Sequence, residues 1–225
     1  EKGSVGASGD LAPLAHMAAV VIGEGSVRYG GVELSTQQAL EQYNMTALKL
    51  GPKEGLALLN GTQVSTAIAI HHFFAAENIF GAAIVAGAMT TDAICGSDTP
   101  FDERIHALSN HPCQKIVAKI LRELLQGSLI RANHKHCKKV QDPYSVRCQP
   151  QVMGACLANL RYAKKLIQDE VNTVSDNPLV FSEDNEVLSG GNFHAEYIAM
   201  ASDVVALALA EITSISERRI AMLMD

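Results

Sequence analysis

The chain has 225 residues, of which 48% are hydrophobic and 19% charged. That balance supplies a substantial core and excludes an intrinsically disordered protein. A formal net charge of −6 and a pI near 5.7 leave nothing to attract nucleic acid or an anionic membrane surface.

The opening residues "EKGSVG" read as neither a leader peptide nor a natural start. The last residues, "RRIAMLMD", lie within an apolar helical pattern with no stop signal. The expectation is a single partial domain over 1–225, cut from something longer at both ends. Asp10 stands as N-cap of a helix over 11–22, with Pro13 in its first turn. Two short extended runs over 26–34 flank Gly30-Gly31, a hairpin signal. Ser35-Thr36-Gln37-Gln38 fits a capping box and opens a short helix to about Asn44. Gly51-Pro52 breaks the pattern.

A helical region rich in small residues follows over 61–94. Its most apolar run, 80–91, lies between Glu77 and Asp92 and is too short to cross a bilayer, so it reads as a buried core helix. Pro112 opens an amphipathic helix in which Ile116, Val117, Ile120, Leu121, Leu124 and Leu125 form the apolar stripe. Gly127 ends it. Further helices are expected over 152–173 and from Phe193 to the end. Between them "NPLVF" and "EVLSGG" suggest a small hairpin. The sum is a mainly α chain, a bundle of long helices with functional groups on loops and helix ends.

Five cysteines (Cys95, Cys113, Cys137, Cys148 and Cys156) include no CxxC pair. An odd number without that spacing reads as reduced thiols in a cytoplasmic protein. His71-His72 and His134-Lys135-His136-Cys137 invite a metal reading. Adjacent histidines on a helix point about 100° apart, and the second cluster lacks a partner pair at zinc-finger spacing. No metal is expected at either.

Ser8 sits between Ala7 and Gly9, with little bulk nearby. One reading is a flexible loop before a helix. The other is backbone chemistry. If the Gly9 nitrogen is pressed against the Ala7 carbonyl carbon, a five-membered ring closes, and only small residues permit that approach. Loss of water from the ring and from the Ser8 side chain leaves an exocyclic methylene conjugated to a carbonyl, a strong electrophile. A helix starting near Leu11 would favour negative charge developing there.

The stretch "GSVGASGDLAPLAH" resembles the signature of the aromatic amino acid ammonia-lyases, which carry a 4-methylidene-imidazol-5-one (MIO) group built from Ala-Ser-Gly. "GPKEGLALLNGTQ", "FDERIHALSNHPCQ", "QDPYSVRCQPQVMGA", "SDNPLVF" and "SGGNFHAE" extend the resemblance over essentially the whole chain. It implies the helical fold of the L-aspartase/fumarase type and an MIO precursor at Ala7, Ser8 and Gly9. It also implies a homotetramer with shared active sites. "RCQPQVMGA" and "GGNFHAE" are similar to the histidine-specific members, which implies L-histidine as substrate and urocanate plus ammonia as products. A phenylalanine or tyrosine lyase or aminomutase, or a non-catalytic helical scaffold, are the alternatives.

Asp142 reads as an N-cap with Pro143 at the first helical position, which puts Tyr144 and Arg147 three apart on one face. A guanidinium suits a substrate carboxylate, and the resemblance implies that role for Arg147. On sequence alone, Arg147 also reads as a surface salt-bridge residue. The resemblance further implies a catalytic contact for Tyr144 and substrate or electrophile contacts for Gln141, Asn60 and Phe193. Locally Asn60 reads as a helix C-cap and Phe193 as a core aromatic on a loop shaped by Gly190-Gly191. Asp10 either assists ring formation or simply caps its helix. The family's chains are about twice as long, beyond the usual single-domain range. The tyrosine proposed as β-proton base and the glutamate linked to histidine selectivity are expected outside these residues.

Overall fold

Periodic apolar stretches become helices in the computed structural model, which describes residues 3, 8–134 and 139–224. In chain order these are α1 (Leu11–Val21), α2 (Thr36–Gln42), α3 (Glu54–Leu59), α4 (Gln63–Ala93), α5 (Glu103–Ala107), α6 (Pro112–Leu125), α7 (Leu129–Asn133), α8 (Tyr144–Arg147), α9 (Gln149–Val171) and α10 (Glu196–Met224). Two antiparallel hairpins interrupt them, β1 (Ser26–Tyr29) with β2 (Val32–Ser35) and β3 (Leu179–Phe181) with β4 (Glu186–Leu188). The fold is mainly α, with long helices and small β excursions. Contacts divide the chain into two compact units, Glu1–Ile70 with Ile167–Ala199, and His71–Leu166 with Met200–Asp225.

In the first unit local chemistry sets the turns. Tyr29 pairs with Val32, which leaves Gly30 and Gly31 as the whole turn, at φ +57° and +85°. Positive φ at both positions is what a two-residue hairpin demands, and glycine meets it without strain. The capping box is present: Ser35 Oγ accepts from Gln38 N–H at 3.2 Å, and Gln38 Oε1 accepts from Ser35 N–H at 3.1 Å. Two unpaired helix-start donors are thereby satisfied. The helix stops at Gln42, short of the expected Asn44, which instead takes φ +54°. Near the second hairpin, Asn177 Oδ1 accepts from Gly190 N–H at 2.7 Å.

The second unit buries one stripe from each of its longer helices. On α6 the buried positions are Cys113, Val117, Ala118, Leu121 and Leu125. Leu124, expected in that stripe, is 46% exposed: the stripe rotates toward Ala118, whose small side chain permits close packing. On α9 the stripe is Met153, Cys156, Leu160 and Ala163, and on α10 it is Ala201, Val205, Ala208, Ile212 and Ile215. Spacings of three and four are the seam of a helix bundle. Each fully buried aliphatic side chain, such as Leu121 or Val117 at 0% exposure, contributes about 1.5–3 kcal/mol. Helix α9 starts three residues earlier than expected, with Pro150 in its first turn, where no bond within α9 itself needs the missing N–H.

One expectation is corrected. The run 80–91 is part of a 31-residue helix, α4, and that helix is not buried all round. Phe73, Ala76, Ile84 and Ala88 are buried, while Phe74, Ile79, Val85 and Met89 are exposed. By length and composition Glu54–Ala93 and Glu196–Met224 are both apolar enough to cross a membrane. The regular one-sided burial of α4 and α10 is the pattern of bundle helices. Glu77 on α4 also accepts a 2.9 Å ion pair from Lys164. Cys95, Cys113, Cys148 and Cys156 are free thiols. Cys137 lies outside the described residues.

Candidate active site

The first unit builds a crowded corner at Gly9. Its backbone is left-handed, at φ +93°, and a Cβ placed there would lie 2.5 Å from Asn60 Oδ1 and 3.3 Å from Gly61 N. Only glycine fits. Asp10, 2% exposed, donates its N–H to the Gly61 carbonyl at 2.7 Å. It occupies the N-cap position of α1, yet its side chain makes no capping bond there. The carboxylate instead accepts from Ser65 N–H at 2.7 Å and Ser65 Oγ at 2.5 Å. Ser65 is the third residue of α4, so Asp10 satisfies an open amide at that helix's start and places negative charge against its positive end.

Asn60 is the C-cap of α3, as its local sequence suggested, at φ −101° rather than in the left-handed region. It is 9% exposed, and its Oδ1 is buried without a hydrogen-bond partner among the described residues. A buried amide oxygen left unpaired costs about 1–3 kcal/mol. The turn is held from behind: Thr62 N–H donates to Ser175 Oγ at 3.2 Å and Thr62 Oγ1 to Glu170 Oε1 at 2.6 Å. Ser8 is exposed beside Gly9. Ala7 lies outside the described residues. The glycine-only corner at Gly9 fits the MIO group that the motif implies, while Asn60 Oδ1 is an acceptor still open, among the described residues, to a donor such as an ammonium.

Phe193 is half-buried on the loop before α10. Asn192 Nδ2 anchors that loop on the Val174 carbonyl at 3.1 Å, and His194 N–H donates to Gly191 O at 2.9 Å. Gly190 and Gly191 do not take positive φ, and a Cβ at either meets nothing within 4 Å.

Gln141, Tyr144 and Arg147 belong to the second unit. The expected cap shifts by one: Pro143 is the N-cap of α8 and Tyr144 its first residue. The reason is that Asp142, 6% exposed, accepts from Ser97 N–H at 2.6 Å rather than from its own helix. Tyr144 and Arg147 share α8, as the spacing required. Tyr144 is 52% exposed. Arg147 is half-buried, with Nε buried and unpartnered among the described residues, and no ion pair involves it there. That is a guanidinium available to a ligand carboxylate. Gln141 lines a recess of about 320 Å³ with Cys95, Asp98, Arg131 and His134.

His71 and His72 are exposed, with rings 5.5 Å apart at 84°. His134 caps α7, while Lys135, His136 and Cys137 lie outside the described residues. Among the described residues no group of three histidine, cysteine or acidic side chains could hold a metal ion.

Sequence reasoning passed over Ser65, Gln149 and Arg219. Ser65 carries no local signal, since its partner is 55 residues away. Arg219 did carry one: continuing the α10 stripe from Ile212 and Ile215 lands on it, and it is 4% exposed.

Known proteins resemble this chain over its whole length. The histidine ammonia-lyases of Pseudoalteromonas atlantica and Paracidovorax citrulli are 59% identical over 225 residues and 58% identical over 224. Each alignment covers all of this chain and 44% of the relative, so the chain spans under half the length of those proteins. Among solved structures, histidine ammonia-lyase from Trypanosoma cruzi matches with a TM-score of 0.85 at 36% identity, over 98% of this chain and 41% of that one. Pantoea agglomerans phenylalanine aminomutase matches with a TM-score of 0.90 at 31% identity, over 100% of this chain and 46% of that one. A family model described as aromatic amino acid lyase matches residues 1–225, and the chain belongs to that family.

Proposed function

We propose that this chain is the central segment of one longer helical domain in a lyase that eliminates ammonia from L-histidine to give urocanate. The observation that carries the reading is the buried Asn60 Oδ1, unpaired among the described residues and packed against a Gly9 that admits no side chain. An MIO group formed from Ala7, Ser8 and Gly9 supplies an electrophile for the substrate amine. Asp10, fixed by Ser65, holds the corner at Gly9. Asn60 Oδ1 accepts a hydrogen bond from the substrate ammonium. Arg147 holds the carboxylate with its forked donors. Tyr144, Gln141 and Phe193 complete the contacts to substrate and electrophile. The relatives named as histidine ammonia-lyases at 58–59% identity support histidine over phenylalanine or tyrosine. A cytoplasmic homotetramer is part of the same proposal.

The test is intact-mass measurement of the full-length protein. The mature chain should be lighter by two waters, and Ser8→Ala should restore the full mass and abolish turnover. Ultraviolet assays with L-histidine, L-phenylalanine and L-tyrosine in parallel decide the substrate. An unmodified mass in folded full-length protein overturns the reading. A mature mass with turnover only of phenylalanine or tyrosine makes it an aromatic lyase or aminomutase of other specificity. A mature mass with no turnover of any of the three rejects the lyase assignment.

A further inference from the structure

The stripe that α10 buries is apolar up to Ile215, and its next place is taken by Arg219, only 4% exposed. No carboxylate lies within ion-pair distance of this guanidinium among the described residues. Burial pulls its pKa below the ordinary arginine value. A cation out of water without a counter-charge is costly to the fold, so stability does not explain it.

Its hydrogen bonds point to a different role. Arg219 Nη2 donates to Ser216 Oγ at 3.0 Å, and Nη1 donates to Gln149 Oε1 at 2.8 Å. Because a guanidinium only donates, it fixes which end of the Gln149 amide faces it. The Nε2 end is thereby aimed at Thr91 Oγ1, at 3.1 Å, and at the Val146 carbonyl, at 2.9 Å. Gln149 is wholly buried. Gly87 leaves room for the pair: a Cβ there would fall 1.9 Å from Gln149 Oε1 and 2.4 Å from Arg219 Nη1.

Val146 precedes Arg147, and its carbonyl lies at the open end of the four-residue α8. The helical partner of that carbonyl would be the N–H of residue 150, but residue 150 is proline and has none. The Gln149 side chain supplies the missing donor. It thereby sets the plane of the Val146–Arg147 peptide, from which the Arg147 side chain departs.

We infer that Arg219 and Gln149 are positioning residues that aim Arg147 at the substrate carboxylate. The inference rests on the proposed carboxylate role of Arg147. Gln149→Glu tests it in the full-length enzyme. That change keeps an acceptor for Arg219 and adds a counter-charge, but it removes the donor to Val146. Loss of one such bond predicts a rise in KM for L-histidine of about tenfold with kcat within about threefold. Inhibition by 3-(imidazol-4-yl)propionate should weaken about as much, while inhibition by histamine, which lacks the carboxylate, should stay within about twofold. Equal weakening of both inhibitors, or of neither, overturns the inference. Arg147→Ala is the control on the underlying reading: if it leaves the preference for the carboxylate-bearing inhibitor intact, the Arg147 assignment fails instead. Should Gln149→Glu not fold, Arg219→Lys is judged by the same inhibitor ratio; a ratio equal to that of the parent enzyme overturns the inference.

Discussion

A close approach of two helices gives a sharp prediction, Gly154→Ala on α9. A Cβ at Gly154 would lie 2.6 Å from Gln114 Cα and 2.8 Å from Gln114 N, both backbone atoms in the first turn of α6. No rotamer change relieves such a contact. Reaching ordinary contact at 3.4 Å requires about 0.8 Å of separation, and a gap of that size forfeits roughly a quarter to a half of each dispersion well across it. Val117, Leu121, Met153 and Leu160 are among the buried side chains nearby in sequence. Overpacking typically costs about 1–3 kcal/mol and occasionally more, whereas alanine in place of glycine inside a helix returns about 1 kcal/mol. With rigid backbone on both sides the upper end applies. The net is about 2 kcal/mol, a fall in melting temperature of roughly 2–5 °C in a large chain. Thermal melts followed by circular dichroism on the full-length protein measure it. An unchanged or raised midpoint would refute the backbone-contact argument, because propensity alone predicts stabilisation.

Two further substitutions probe other sites. Gly9→Ala combines a disfavoured φ with a Cβ 2.5 Å from Asn60 Oδ1, so intact mass should reveal chains that retain their water; full dehydration in this variant would count against the crowded corner. Cys156, 3% exposed, has its thiol pushed up to about 11 by burial, with the Glu211 carboxylate adding to the effect. Its pKa is higher folded than unfolded, so its contribution to stability is complete below pH 9 and is lost as pH rises through 11. Urea midpoints measured from pH 8 to 11 should fall less steeply in Cys156→Ala, and alkylation of Cys156 at pH 8 should require unfolding. Rapid labelling of the native protein would contradict this.

What could be read from the sequence was what is local. The Gly30-Gly31 turn and the Ser35–Gln38 box are decided within a few residues, and both stand where their residue types put them. The misplacements come from partners far along the chain. Asp142 gives up the cap position to Pro143, and Asp10 keeps its own without a capping bond, because their carboxylates go to Ser97 and to Ser65. A short-range pattern has no means of weighing those competitors. Leu124 misled because leucine and alanine compete for one stripe on α6, and close packing selects the smaller. At the candidate site, the resemblance named Asn60 and Arg147. Only the structure reveals that each has a buried polar atom without a hydrogen-bond partner among the described residues.

The tie between Asp10 and Ser65 has a temporal consequence. The two residues are 55 positions apart, and translation proceeds at about 5–20 residues per second. For some seconds of synthesis the emerging polypeptide around Asp10 has no latch. On the lyase reading, self-dehydration therefore waits for α4 to leave the ribosome. The same reading gives synthesis a built-in order of events, in which only molecules that have already zipped up this corner become chemically armed.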